Sequence, residues 1–210
     1  MASRMIHLAI AYKVAEQREI GNLARFQIGT MLPDEYPKQV SHLKYTLEEG
    51  RKKSYRLSFF RQRYGQELTG DDLYRGYYLH LVQDMLYRNF VYGRHYWDPR
   101  PAGNIEKLHH DYGLLNGYII EKYGIEKTLV LPAHFEKEPL FEICPVSLQS
   151  LRASFERDFQ PCEGTPFFFT AQMADEFIET AAEQCIKEYD ALKEGSFLTD
   201  ERRYAWDSHQ

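Results

Sequence analysis

The chain has few cysteines, no dominant charge sign and no long apolar run. Its three cysteines, Cys144, Cys162 and Cys185, are odd in number and form no Cys-x-x-Cys pair. That argues against a disulfide framework or a thiolate zinc site as the organising device. Lys and Arg number 26 against 31 Asp and Glu, a net charge of −5, so there is no electrostatic footprint for non-specific nucleic-acid binding. No stretch reaches the ~20 apolar residues of a membrane span. The start, MASRMIHLAIAYKVAEQREI, does not read as a secretory signal, because its apolar run is short, contains His7 and passes straight into charged residues. These absences predict one domain over residues 1–210, in a reducing, cytoplasmic setting, with length enough for a real core.

Aromatic residues are plentiful, with Tyr (16) and Phe (13) dominating. They predict an aromatic-rich core, and tyrosine can also line a pocket. Apolar spacing and cap residues predict a helix from Ser3 to about Glu19 and a second capped by Asn22 and ended by Pro33. A short helix is expected near Leu57–Tyr64. A long one should run from Asp71-Asp72 to about Tyr92, and another from a cap at Asn104 to Tyr123, closed by Gly124. Residues 35–55 read as mixed. Prolines at 132, 139, 145, 161 and 166 make 132–168 irregular apart from a helical insert near Leu148–Phe159. Thr170–Lys193 is the clearest amphipathic helix, and the tail from about 196 reads as loose. The fold class is all-α, with an irregular C-terminal third.

Chemistry concentrates on Tyr77-Tyr78-Leu79-His80-Leu81-Val82-Gln83-Asp84. Residues i and i+4 share a helical face, so His80 and Asp84 can converge on one metal ion or simply hydrogen-bond to each other. His7, Asp34 and His42 also stand among apolar residues, where an unpaired charge is costly. Each has a plain alternative: a satisfied histidine for His7 and His42, a turn residue for Asp34. Imidazole plus carboxylate is a ligand set that zinc accepts and that manganese or iron also tolerates. If Asp34, His42, His80 and Asp84 converge, the set is complete but for an open water position. His109, His110 and Asp111 form a second cluster, equally readable as a half-exposed helix start.

The segments MASRMIHLAIA, RFQIGTMLPD, SHLK, GYYLHLVQDMLYRNFVY and HHDYGLLNGYIIEKYG, in this order, resemble the zinc-dependent phospholipase C family, and more narrowly an uncharacterised cytoplasmic bacterial branch of it. The likeness covers roughly the first 125 residues, and its best motif is His-x-x-x-Asp at His80 and Asp84. It implies a helical fold related to that of fungal zinc nucleases, and cleavage of phosphate esters by clustered zinc. Asp34, His42, His80 and Asp84 would bind one metal. Asp84 would bridge to a second ion that also takes His7, and Asp34 would orient or deprotonate the attacking water. Two departures reduce the implied count to one or two ions. Secreted members use the processed N-terminal residue as a ligand, whereas Met1 here is several residues from His7. Their downstream His/His/Glu set also has no counterpart beyond His95, His109, His110 and Asp111.

The implied partner is a small phosphate ester. Lys44, Arg88 and Arg94 are candidate phosphate contacts, and Tyr77, Tyr78, Phe90 and Tyr92 candidate pocket walls, each with a structural alternative. Two rival functions remain open. One is a phosphohydrolase of the HD type using His80, His110, Asp111 and a later aspartate such as Asp158 or Asp175. The other is a non-catalytic helical binding protein whose histidines are structural.

Overall fold

The structure, a computed structural model, describes residues 2–208. Met1 and residues 209–210, including His209, lie outside it. Eight α-helices and one three-stranded sheet make up the regular structure of the described residues, and no helix among them is long and apolar enough to cross a membrane.

Helix ends follow local chemistry. Ser3 accepts from the Ile6 amide to cap α1 (Arg4–Gln17), and Asn22 accepts from the Arg25 amide to cap α2 (Leu23–Met31), each satisfying an amide the helix leaves unpaired. Leu32–Glu35 follows as a 3-10 turn with Pro33 at its start, then α3 (Lys38–Ser41). α4 (Leu57–Gly70) runs past Gly65 with a break at Tyr64, longer than the spacing predicts. α5 (Asp72–Arg88) is capped by Asp71. α6 (Asn104–Lys122) begins one residue earlier than expected: Gly103, at φ 83°, is the cap. Asn104 instead bonds the Asp98 carbonyl, at 2.8 Å. α7 (Leu148–Arg157) and α8 (Ala171–Lys193) complete the set.

Every residue of α5 except Leu86 and Arg88 is buried, so this helix is the centre of the molecule. Its crossing with α2 has a specific cause. A Cβ added to Gly76 would lie 2.2 Å from the Phe26 carbonyl oxygen, and one on Gly29 would lie 2.0 Å from that of Leu73. Only glycine lets the two backbones approach this closely. The approach sets the α2 carbonyl of Thr30 against His80 of α5, Nδ1 to O 2.8 Å.

Two regions depart from the sequence expectation. The mixed segment forms an antiparallel hairpin, β1 (Lys44–Leu47) with β2 (Lys52–Tyr55), Lys44 opposite Tyr55. The tail expected to be loose is docked on it. β3 (Trp206–Asp207) pairs with β2, Trp206 opposite Lys53. Glu201, 7% exposed, accepts from the Tyr45 hydroxyl at 2.9 Å and from Ser58 Oγ at 2.8 Å. These partners are over a hundred residues away in sequence, which is why the tail reads as loose on its own.

Candidate metal centre

α1 carries His7, the 3-10 turn Asp34, the end of α3 His42, and α5 both His80 and Asp84. The structure brings all five together. Asp84 Oδ1 lies 3.5 Å from His7 Nε2, and its Oδ2 lies 3.2 Å from His42 Nε2 and 3.9 Å from His80 Nε2. Asp34 divides in the same way, Oδ2 at 4.0 Å from His7 Nε2 and Oδ1 at 3.8 Å from His42 Nε2. Two ligand-atom sets, each within 4.8 Å, can be drawn: His7/His80/Asp84 and Asp34/His42/His80. Zinc bonds of about 2.0–2.1 Å in a tetrahedron put neighbouring ligand atoms ~3.3–3.4 Å apart, and the observed separations bracket that spacing.

The outer nitrogens fix what the inner ones present. His80 Nδ1 faces the Thr30 carbonyl, which can only accept, so Nδ1 carries the proton. His7 Nδ1 is 2.7 Å from Gln83 Oε1. His42 Nδ1 is 3.0 Å from Ser41 Oγ, whose own proton goes to the Pro33 carbonyl at 2.7 Å. With each Nδ1 engaged on the outer side, each Nε2 is turned toward the centre. His42 Nε2 and His80 Nε2 are 3.1 Å apart. His7 Nε2 is a buried atom with no hydrogen-bond partner.

Electrostatics adds a conflict. Burial pushes His80 well below its ordinary pKa, His7 adding to the effect, and burial also lowers His42; the rings therefore stay neutral. Burial works to raise the Asp84 carboxyl, but contact with His42 and His7 holds it well below the usual carboxylate range. Burial likewise opposes ionisation of Asp34, while the neighbouring Lys38 ammonium favours it, and the carboxyl is held below its ordinary range. The carboxylates thus need positive charge that the buried rings resist supplying. A divalent cation among the five side chains satisfies both demands, so this donor set fits one or two such ions.

Surrounding contacts hold the set in place. The Ala2 backbone N–H donates to Asp84 Oδ1 at 3.1 Å, and the Tyr55 hydroxyl lies 3.4 Å from Oδ2. The chain start therefore reaches the site through Ala2, although Met1 lies outside the described residues. Leu43, directly after His42, sits at φ 51°, a left-handed conformation costing ~1 kcal/mol. Glu35, next to Asp34, is tied to Arg4 of α1 and to Ser154 of α7. All five candidate ligands are fully enclosed except Asp34, whose side chain is 13% exposed. Asp34 therefore marks the side open to solvent, where Lys38 pairs with its Oδ1 at 3.2 Å.

The second histidine cluster lies apart. Asp111 accepts the amides of Phe167, Phe168 and Phe169, each at 2.8 Å, which makes it the anchor of the loop before α8. His110 packs on Phe167. His109 is within electrostatic reach of Lys38 and Asp34 but joins neither ligand set among the described residues. Asp158 pairs with Arg4 and Asp175 with Lys122, and neither joins a ligand set among the described residues. Arg94 pairs with Glu176, away from the five, while Arg88 stacks on Trp206. Tyr77, Tyr78 and Phe90 are core residues.

Thr30, Ser41, Gln83 and Lys38 contribute to the site without having been singled out from the sequence. For Ser41 and Gln83 the available signal is adjacency to His42 and Asp84; Thr30 acts through its backbone and leaves none. Comparison with protein-family models, curated proteins and solved structures returns no match for the chain.

Proposed function

We propose that the protein is a metal-dependent hydrolase of phosphate esters, acting on a small phosphomonoester or phosphodiester through a metal-activated water. One observation carries this reading: three imidazoles, each oriented through Nδ1, turn their Nε2 atoms toward two carboxylates inside the protein. His42, His80, Asp84 and Asp34 would hold one ion, and His7 with the other oxygens of Asp84 and Asp34 a second. A bound zinc, manganese or iron supplies Lewis acidity, lowering the pKa of a water it holds and offsetting phosphate charge.

The chain's own residues supply position. Asp34, ionised and the one partly exposed member, orients the incoming water rather than taking its proton, since a carboxylate held so far below its ordinary pKa is a weak base. Lys38, beside Asp34 on the open side, offers a cation to the phosphate. The ordered set of His7, Asp34, His42, His80 and Asp84 also agrees with the resemblance to the zinc-dependent phospholipase C family, which supports the reaction class. The test is a panel of phosphomonoesters and phosphodiesters turned over by the metal-loaded protein. His80→Ala and Asp84→Ala should each lose more than ~10²-fold in kcat/KM, the scale of removing one group that stabilises developing charge. Turnover unchanged in both variants would remove the mechanism.

A further inference from the structure

The hairpin that follows α3 turns one face toward the metal centre. His42 closes α3, Leu43 redirects the chain through its left-handed conformation, and β1 begins at Lys44. Residues directly opposite in an antiparallel pair project from the same face of the sheet, as do residues two apart on one strand. Lys44 stands opposite Tyr55, and Lys53 opposite Trp206, so these side chains share a face. That face packs on the second half of α5. The Tyr55 hydroxyl is 3.4 Å from Asp84 Oδ2, and its ring centroid is 5.5 Å from that of His42. Trp206 covers the Arg88 guanidinium at 4.2 Å.

The cations around this face are committed, with one exception. Lys53 Nζ donates to the Ser208 carbonyl at 2.9 Å. Lys38 pairs with Asp34, and Arg88 stacks on Tyr92 and Trp206. The Lys44 ammonium makes no hydrogen bond or ion pair among the described residues. Yet Lys44 is half-buried, within electrostatic reach of Arg88, Lys38 and Asp84. Partial burial beside other cations is a costly place for an unpaired charge. The hairpin does not call for it either. Lys44 meets Tyr55 through the strand register, and its carbonyl accepts from Gln39 Nε2 at 3.3 Å. Those are backbone roles that need no ammonium. Lys38 marks the side of the centre open to solvent, so a free charge within its reach lies where a ligand enters.

We infer that Lys44 contacts the substrate phosphate at the metal centre and makes the site selective for phosphomonoesters over phosphodiesters. The inference rests on the hydrolase reading and narrows its substrate class. Above its second pKa of about 6 a phosphomonoester is a dianion, whereas a diester stays a monoanion. One divalent ion offsets the carboxylates of Asp34 and Asp84. The ammonium groups of Lys38 and Lys44 then remain as surplus positive charge, which a dianion answers better than a monoanion. Lys44 donates to a non-bridging phosphate oxygen that only the monoester leaves unsubstituted and charged.

The experiment compares 4-nitrophenyl phosphate with methyl 4-nitrophenyl phosphate, which share a leaving group, on the zinc- or manganese-loaded protein. Lys44→Met keeps the apolar stem and removes the charge. On the scale of one charge-assisted hydrogen bond, kcat/KM should fall ~10-fold or more for the monoester and under ~3-fold for the diester. The melting temperature should stay or rise, since an unpaired cation is lost; a structural lysine would lower it. Lys44→Arg should restore most of the monoester rate. Calorimetric titration with inorganic phosphate at about pH 8 reads the same contact without turnover, and Lys44→Met should bind ~10-fold more weakly. If neither ester is hydrolysed, the hydrolase reading fails and the phosphate titration alone decides the role of Lys44. The inference is overturned by equal loss on both esters, by no loss on the monoester, or by phosphate binding that is absent in wild type or unchanged in Lys44→Met.

Discussion

Asp84 is enclosed by protein on every side, and an isolated carboxylate in that position costs several kcal/mol. Its two oxygens serve different neighbours, one toward His7 and the other toward His42 and His80. Asp34 repeats the division on the side open to solvent. Two carboxylates shared in this way are suited to bridging a pair of cations. The groups behind the ligands set the ring orientations, so they should matter nearly as much. Ser41→Ala removes the acceptor for His42 Nδ1 and frees that ring to change tautomer. Metal affinity should fall ~10–100-fold, with the fold intact by circular dichroism; unchanged affinity by competition with a chelator would show that Ser41 does not orient the ring.

Protonation at the same residues sets a pH dependence. Burial lowers His80 and His42 in the folded state below their ordinary value of 6.5. The unfolded chain therefore takes up protons that the folded one refuses. Stability is fully present above about pH 6.5 and declines as pH falls below it. The melting temperature of the metal-free protein should be flat above neutrality and drop below pH 6.5, and His80→Gln should make that drop shallower. A wild-type curve that rises on acidification would contradict neutral, buried rings.

At the scale of elements, the α2–α5 crossing positions the chemistry. Gly76→Ala would put a methyl group 2.2 Å from the Phe26 carbonyl oxygen, a backbone atom that cannot move aside alone. Overpacking of this kind costs about 1–3 kcal/mol or more, and His80 would shift with the helix. Chemical denaturation should show that loss together with weaker metal binding; full stability would mean that the helices have room to part. Helix starts are legible in the sequence because a cap is a local contact: Ser3, Asn22, Asp71 and Thr170 each bond an amide two or three residues on. The hairpin and tail are not legible, since Lys52-Lys53 carries no strand pattern and its partner Trp206 is remote. His7, Asp34, His42, His80 and Asp84 stand out as polar residues in apolar runs. His110-Asp111 has the same look, yet Asp111 spends its carboxylate on three amides more than fifty residues away. Spacing alone does not separate these two uses.

At the scale of the whole molecule, α1, the 3-10 turn, α3 and α5 come together at the five-residue centre. An ion held there cross-links segments from the first helix to the middle of the chain. Because binding favours the folded state, ligand at a hundredfold excess over its Kd adds ~2.7 kcal/mol of stability. The direct measurement is metal content by elemental analysis, on protein purified without a metal-affinity step, paired with a thermal melt before and after chelation. The predicted result is one to two equivalents of zinc, manganese or iron, a lower melting temperature after chelation that is restored by added metal, and loss of the metal in Asp84→Ala. Protein that carries no metal, and whose melting temperature does not move when zinc or manganese is added, would contradict the account.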